Sequence, residues 1–172
     1  MRGFNLGVAA LAIILLALTG CDGGAKAKPT AGLGFPAAEF VQRLEATATS
    51  LDFKGFAKLP QPNVGEKRIT VLARPYLGVA ATIEGGSVTG VALMLQHEPK
   101  GDATMRAIES VTMATILVGM SEPALSPAER TKILEDCGLM SGKAGVIQHA
   151  GLRYECQVDE AEGRLKFTVG KG

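Results

Sequence analysis

Few side chains in this chain could do covalent or metal chemistry. They are two histidines, His97 and His149, three cysteines, Cys21, Cys137 and Cys156, and Ser87 in the stretch Gly85-Gly86-Ser87-Val88-Thr89. The histidines lack the HxxxH or HxH spacing that puts two imidazoles on one ion, so a metal site would have to be assembled from distant parts. Glu98 beside His97 and Glu155 near His149 are the carboxylates that could orient an imidazole. Neighbours on a strand point to opposite faces, however, which sets His97 and Glu98 apart. The Ser87 stretch falls short of a nucleophile elbow. Thr89 stands where the last glycine belongs, and the stretch reads as a β-hairpin where the elbow needs a strand-to-helix turn. Residues 138–144 have three residues between their glycines instead of the four of a phosphate loop, and Ala144 stands where a hydroxyl should meet magnesium. No catalytic residue, metal or cofactor is assigned, and Glu160 and Glu162 fall in a turn as solvated charges.

The residue that carries most chemistry is Cys21. It closes Leu18-Thr19-Gly20-Cys21 at the end of an apolar run, residues 6–18, that follows Met1-Arg2-Gly3. That run is shorter than the roughly 20 residues a helix needs to cross a bilayer. A basic start, a short apolar core and small residues at its end are the layout of a signal peptide. Leu18-Thr19-Gly20-Cys21 resembles the lipobox of bacterial membrane lipoproteins. The resemblance implies cleavage after Gly20, a diacylglycerol thioether on Cys21 and acylation of the new N-terminus. The rest of the chain would then sit in the cell envelope, facing the periplasm. Two or three acyl chains make an effectively permanent anchor, each buried methylene adding about 0.8 kcal/mol. Asp22 resembles the inner-membrane retention signal of enterobacterial lipoproteins, which favours the inner over the outer membrane. With Cys21 given to lipid, Cys137 and Cys156 remain as an even pair in an oxidising compartment, and a disulfide between them is expected. Closing that loop would contribute roughly 3 kcal/mol in the chain-entropy model.

Loss of residues 1–20, whose only charge is Arg2, brings Lys and Arg level with the 17 Asp and Glu. A neutral chain without tryptophan shows neither the phosphate footprint nor the stacking platform of a nucleic-acid binder. Three segments follow: a signal peptide over 1–20, the acylated cysteine and a flexible tether over 21–35, and one domain over 36–172. The tether is built of Gly, Ala, Lys, Pro and Thr, which cannot bury apolar surface.

Within the domain, Pro36 opens an amphipathic helix with Phe40, Val41, Leu44, Ala48 and Leu51 on its apolar side. Residues 59–65 read as a loop, 68–73 and 76–84 as strands, and Gly85-Gly86 as a tight hairpin turn into a return strand. On that return strand Val88 has the opposite parity to Val91, Leu93 and Leu95, which predicts a bulge near Gly90. Asp102 caps a helix over 103–119 whose second half is apolar nearly all round, so it should be the buried central helix. Ser126-Pro127-Ala128-Glu129 is a capping box with proline at the first helical position, and Gly138 supplies the left-handed stop. The last third is a β-meander in which Tyr154, Cys156 and Val158 share a face. The fold class is α+β: an antiparallel sheet with helices packed on one face, in the order α-β-β-β-α-α-β-β.

A tether, a compact domain and no catalytic constellation point to a non-enzymatic module that binds an envelope protein or assists an envelope assembly. Tyr154-Glu155-Cys156 is similar to the Tyr-x-Cys strand of small lipoprotein lysozyme inhibitors, which would make the partner an envelope hydrolase. The alternatives are a binder of a small apolar ligand in a cavity under the helix over 103–119, and a weak hydrolase using Ser87 or a histidine. The lipid reading has a direct consequence. Cys21→Ala should release the chain from membranes into the soluble fraction, and a variant that still floats with membranes would contradict it.

Overall fold

The computed structural model describes residues 33–53, 61–96, 102–159 and 164–172. The lipobox, Asp22 and His97 lie outside them. A short 3₁₀ turn, Ala37–Glu39, leads into α1 (Phe40–Ser50), and four strands follow: β1 (Asn63–Gly65), β2 (Arg68–Arg74), β3 (Leu77–Glu84) and β4 (Ser87–Leu95). Two helices, α2 (Ala103–Ser121) and α3 (Pro127–Asp136), precede β5 (Gly145–His149), β6 (Leu152–Asp159) and β7 (Arg164–Lys171). The strands form one seven-stranded sheet in the order β1-β2-β3-β4-β7-β6-β5, with every neighbouring pair antiparallel. The α+β class and the antiparallel sheet are as expected. Asn63-Val64-Gly65, expected within a loop, instead pairs with β2 through the Glu66-Lys67 turn as a short edge strand.

Alternation along the strands divides the sheet into an inner and an outer face. Val71, Val79, Leu93, Phe167 and Tyr154 point inward and are buried in one cluster with Phe40 and Leu44 of α1, Ile116 and Leu117 of α2, and Leu134 of α3. Tyr154 and Phe167 stack at 6.4 Å between ring centroids. From Met113 to Ser121 nearly every residue of α2 is buried. This half of the helix lies against the sheet and is flanked by α1 and α3, which is why it has no polar face. Among the described residues no helix is long and apolar enough to cross a membrane.

The local signals act where the sequence places them. Gly85 and Gly86 both adopt positive φ in the β3–β4 turn, the twist-matched conformation of a two-residue hairpin. Thr82 pairs with Gly90 but Ile83 with Val88, so Thr89 is the extra residue of a bulge beside Gly90. Asp102 Oδ1 accepts from the Thr104 and Met105 amides, and Ser126 and Glu129 form the reciprocal capping box. Gly138 turns the chain at φ 89°, in a place where a side-chain carbon would meet the Lys143 carbonyl oxygen at 2.5 Å.

Two expectations are corrected. The tether does not reach residue 35: Leu33 and Phe35 are buried in the cluster. The Gly34 amide donates to the Val88 carbonyl, and the Phe35 carbonyl accepts from the Val88 amide. Leu33 and Phe35 thus supply the apolar anchors that the Gly- and Ala-rich composition of the segment conceals. The expected Cys137–Cys156 disulfide is also not formed, and both residues are free, buried thiols. They are neighbours, close enough for Cys137 to act electrostatically on Cys156. The Cys137 thiol, however, turns back along its own helix to donate to the Leu134 carbonyl at 3.4 Å.

Burial pushes the Cys156 thiol from its ordinary 9.0 up to about 11 and raises that of Cys137 as well. An unfolded thiol ionises near 9 while the buried one keeps its proton. Stability from this source is therefore full below pH 9 and falls as the pH rises through about 11. Reduced, folded protein should resist iodoacetamide at pH 8 and take up label at both sites once unfolded in urea. Rapid labelling of the folded chain would overturn this account of the pair.

Candidate functional site

Polar groups gather with a defined geometry in several places, the Tyr76 hydroxyl and Arg74 meeting Glu109 among them, and two of these places bear on function. The first is at the end of β5, where the Ala150-Gly151 turn, positive in φ at both residues, sets His149 opposite Leu152. His149 Nδ1 lies 3.0 Å from both carboxylate oxygens of Glu122, and the Tyr154 hydroxyl donates to Glu122 Oε1. Since both partners of Nδ1 are carboxylate oxygens, Nδ1 carries a proton and donates it to Glu122. The Glu122 side chain is 12% exposed and that of His149 45%. Burial, followed by the adjacent carboxylate, pushes the Tyr154 hydroxyl well above the usual tyrosine range, so it remains a donor.

Glu122 is the C-cap of α2, where the helix dipole opposes a negative charge. Tyr154 and His149 offset that cost and clamp the end of α2 to the β5–β6 hairpin. The carboxylate that orients His149 is therefore not Glu155. In register Glu155 pairs with Val146, one residue out of phase with Tyr154 and so on the opposite face of the sheet. There it accepts from Arg153 and Gln157. Among the described residues, neither Ser87 nor Ser121 is hydrogen-bonded to the His149–Glu122 pair. Ser87 stands on β4, separated from β5 by β7 and β6, and is bridged to Pro36. The fully buried Ser121 hydroxyl has no hydrogen-bond partner among the described residues. Among them, no group of three or more His, Cys, Asp and Glu is arranged to hold a metal ion.

The second place is the outer face of the sheet. One row across five strands reads Arg68, Thr82, Gly90, Gly170, Arg153, and the next reads Thr70, Ala80, Ala92, Thr168, Glu155. The middle three strands thus carry Thr, Gly and Ala where the inner face carries Val, Leu and Phe. The outcome is a depression of about 530 Å³ lined by strand and turn residues only. Lys67, Arg68, Arg153, Lys166 and Lys171 contribute to its lining, and no carboxylate does. Arg153 is offset by Glu155 at 2.8 Å. Lys67, Arg68 and Lys171 have no carboxylate partner among the described residues. The Arg68 guanidinium leans over the floor toward Met94 Sδ at 3.8 Å, a weak acceptor.

A third, smaller feature is a cleft of about 390 Å³ where the first half of α2 meets the ends of β4 and β7. Leu95, Val111, Leu139, Met140 and Leu165 line it, together with Arg106 and Ser110.

Sequence reasoning missed Glu122, which lies 27 residues from His149 with no local motif to join them. It also took the second sheet face as a candidate binding surface without assigning residues to it, although the i, i+2 series Gly78, Ala80, Thr82 and the pair Gly90, Ala92 were there to be read. Tyr154→Phe should cost about 1.5–3 kcal/mol, the worth of a buried hydrogen bond to a charged group. His149→Ala should cost less, because His149 is half-exposed. Urea denaturation of the two variants checks the order, and equal losses would contradict the clamp. Comparison with known proteins found no family model, no characterised protein and no solved structure that matches this chain.

Proposed function

We propose that the chain is a non-enzymatic protein-interaction or envelope-assembly module, held on the periplasmic side of a bacterial membrane by lipid on Cys21. Asp22 favours the inner membrane. The lipobox-like Leu18-Thr19-Gly20-Cys21 supports the anchoring half of this reading. The observation that carries the interaction half is the depression on the outer face, with its small-residue floor and basic rim. A sheet face with nothing to bind is ordinarily covered or studded with long polar side chains. Here Ala92 and Thr168 leave the backbone open to close approach. Inhibition of an envelope hydrolase is one form such binding could take. Tyr154 and Cys156 would not be presented to the enzyme, since both are buried.

The second reading, a small apolar ligand, is favoured by the cleft between α2 and the ends of β4 and β7. Its size falls within the range of small-molecule sites and its walls are largely apolar. A lipid or other apolar molecule copurifying with the protein, and lost on Val111→Arg, would support it.

A photo-crosslinking residue distinguishes the two. Placed at Thr82 on the outer face, it should capture one discrete envelope protein in intact cells. Placed at Ala128, exposed on α3, it should not. Equal capture at both sites, or none at Thr82, would refute the interaction module.

A further inference from the structure

We infer that the outer face binds an acidic polypeptide segment, held by Arg68 and Lys166 over a floor of threonine, alanine and glycine, with Arg153, paired to Glu155, on its far side. This rests on the interaction-module reading and names the chemistry of its partner. Arg68 and Arg153 belong to one row and are separated by four strand intervals, about 19 Å at the usual strand spacing. An α-helix with its side chains is about 10–12 Å across. A helix or an extended segment therefore fits between the two arginines. The small residues Thr82, Ala92 and Thr168 let its backbone approach closely. A carboxylate would replace the weak N–H···S contact of Arg68 with a charge-assisted hydrogen bond, roughly twice as strong as a neutral one.

Charge selects this occupant over the others. A second copy of the same face would bring bases against bases, and like-charge juxtaposition opposes such pairing. The segment nearest the domain in sequence, residues 22–32, carries Lys26 and Lys28 against Asp22 alone, so it does not complement the face. A bilayer surface is flat. It would touch the basic rim while leaving the threonine and alanine floor wet. An acidic polypeptide meets both the rim and the floor.

The test uses the full chain in phosphatidylcholine nanodiscs and fluorescein-labelled poly-L-glutamate as the probe, read by anisotropy. Binding should weaken as salt is raised. Arg68→Glu combined with Lys166→Glu should weaken it roughly tenfold. Lys132→Glu combined with Lys143→Glu, an equal charge change away from this face, should leave it near that of the unaltered chain. Equal loss in the two double variants, or no binding of poly-L-glutamate, would overturn the proposal. So would preferential binding of phosphatidylglycerol vesicles that depends on Arg68 and Lys166. The Thr82 crosslink separates the two levels. A captured protein together with failed poly-L-glutamate binding rejects the acidic occupant and keeps the interaction module. Failure of both removes both.

Discussion

The pairing of β4 with β7 is the constraint on which the rest of this structure depends. Val91 lies opposite Val169 and Leu93 opposite Phe167, strands separated in the chain by two helices and a hairpin. Such a non-local contact gains nothing until the intervening chain has closed, so it needs a covering element that rewards both strands at once. That element is α2. It leaves β4, crosses the inner face and buries Met113, Ile116 and Leu117. Then α3 and the tight turn at Gly138 return the chain so that the β5–β7 meander docks on the free edge of β4. Gly145 is the point of closest approach, since a side-chain carbon there would lie 2.6 Å from the Cys137 carbonyl oxygen.

The same arrangement produces the two faces. Inner residues of β3, β4 and β7 are large because α2 sits on them. In two rows of the outer face the same strands carry only Thr, Ala and Gly, although solvent alone would impose no such restriction. The clamp of Tyr154 and His149 on Glu122 serves the inner side: it fixes the end of α2 to the β5–β6 hairpin and so sets where Arg153 stands on the outer side. The polar cluster thus ties the end of α2 to the hairpin that carries Arg153.

Elements governed by neighbours in sequence were legible before the fold was known. The Gly85-Gly86 turn, the bulge beside Gly90, the Ser126–Glu129 capping box and the buried second half of α2 each rest on residues within one or two turns of one another. Features made by distant residues were not. Glu122 meets His149 and Tyr154 only because α2 ends above β5 and β6, and Glu155 was a reasonable alternative until strand parity sent it to the opposite face. Leu33 and Phe35 sit in a segment whose composition reads as a tether, yet two apolar side chains and a backbone exchange with Val88 suffice to pin it. The cysteines were placed correctly as neighbours. Proximity alone did not fix the direction of the Cys137 thiol, which its own helix decides.

Under the proposed membrane anchoring, an occupied outer face should be the surface that is covered. Hydroxyl-radical footprinting read by mass spectrometry can compare native envelope vesicles with purified protein. Leu72 and Met94 report on the outer face, and Met105 and Ile108 on the exposed side of α2. Protection of Leu72 and Met94 in the vesicles, with Met105 and Ile108 unchanged, is the result expected of an occupied outer face. Protection of Met105 and Ile108 with Leu72 and Met94 left reactive would place the partner on the helices and contradict the central claim.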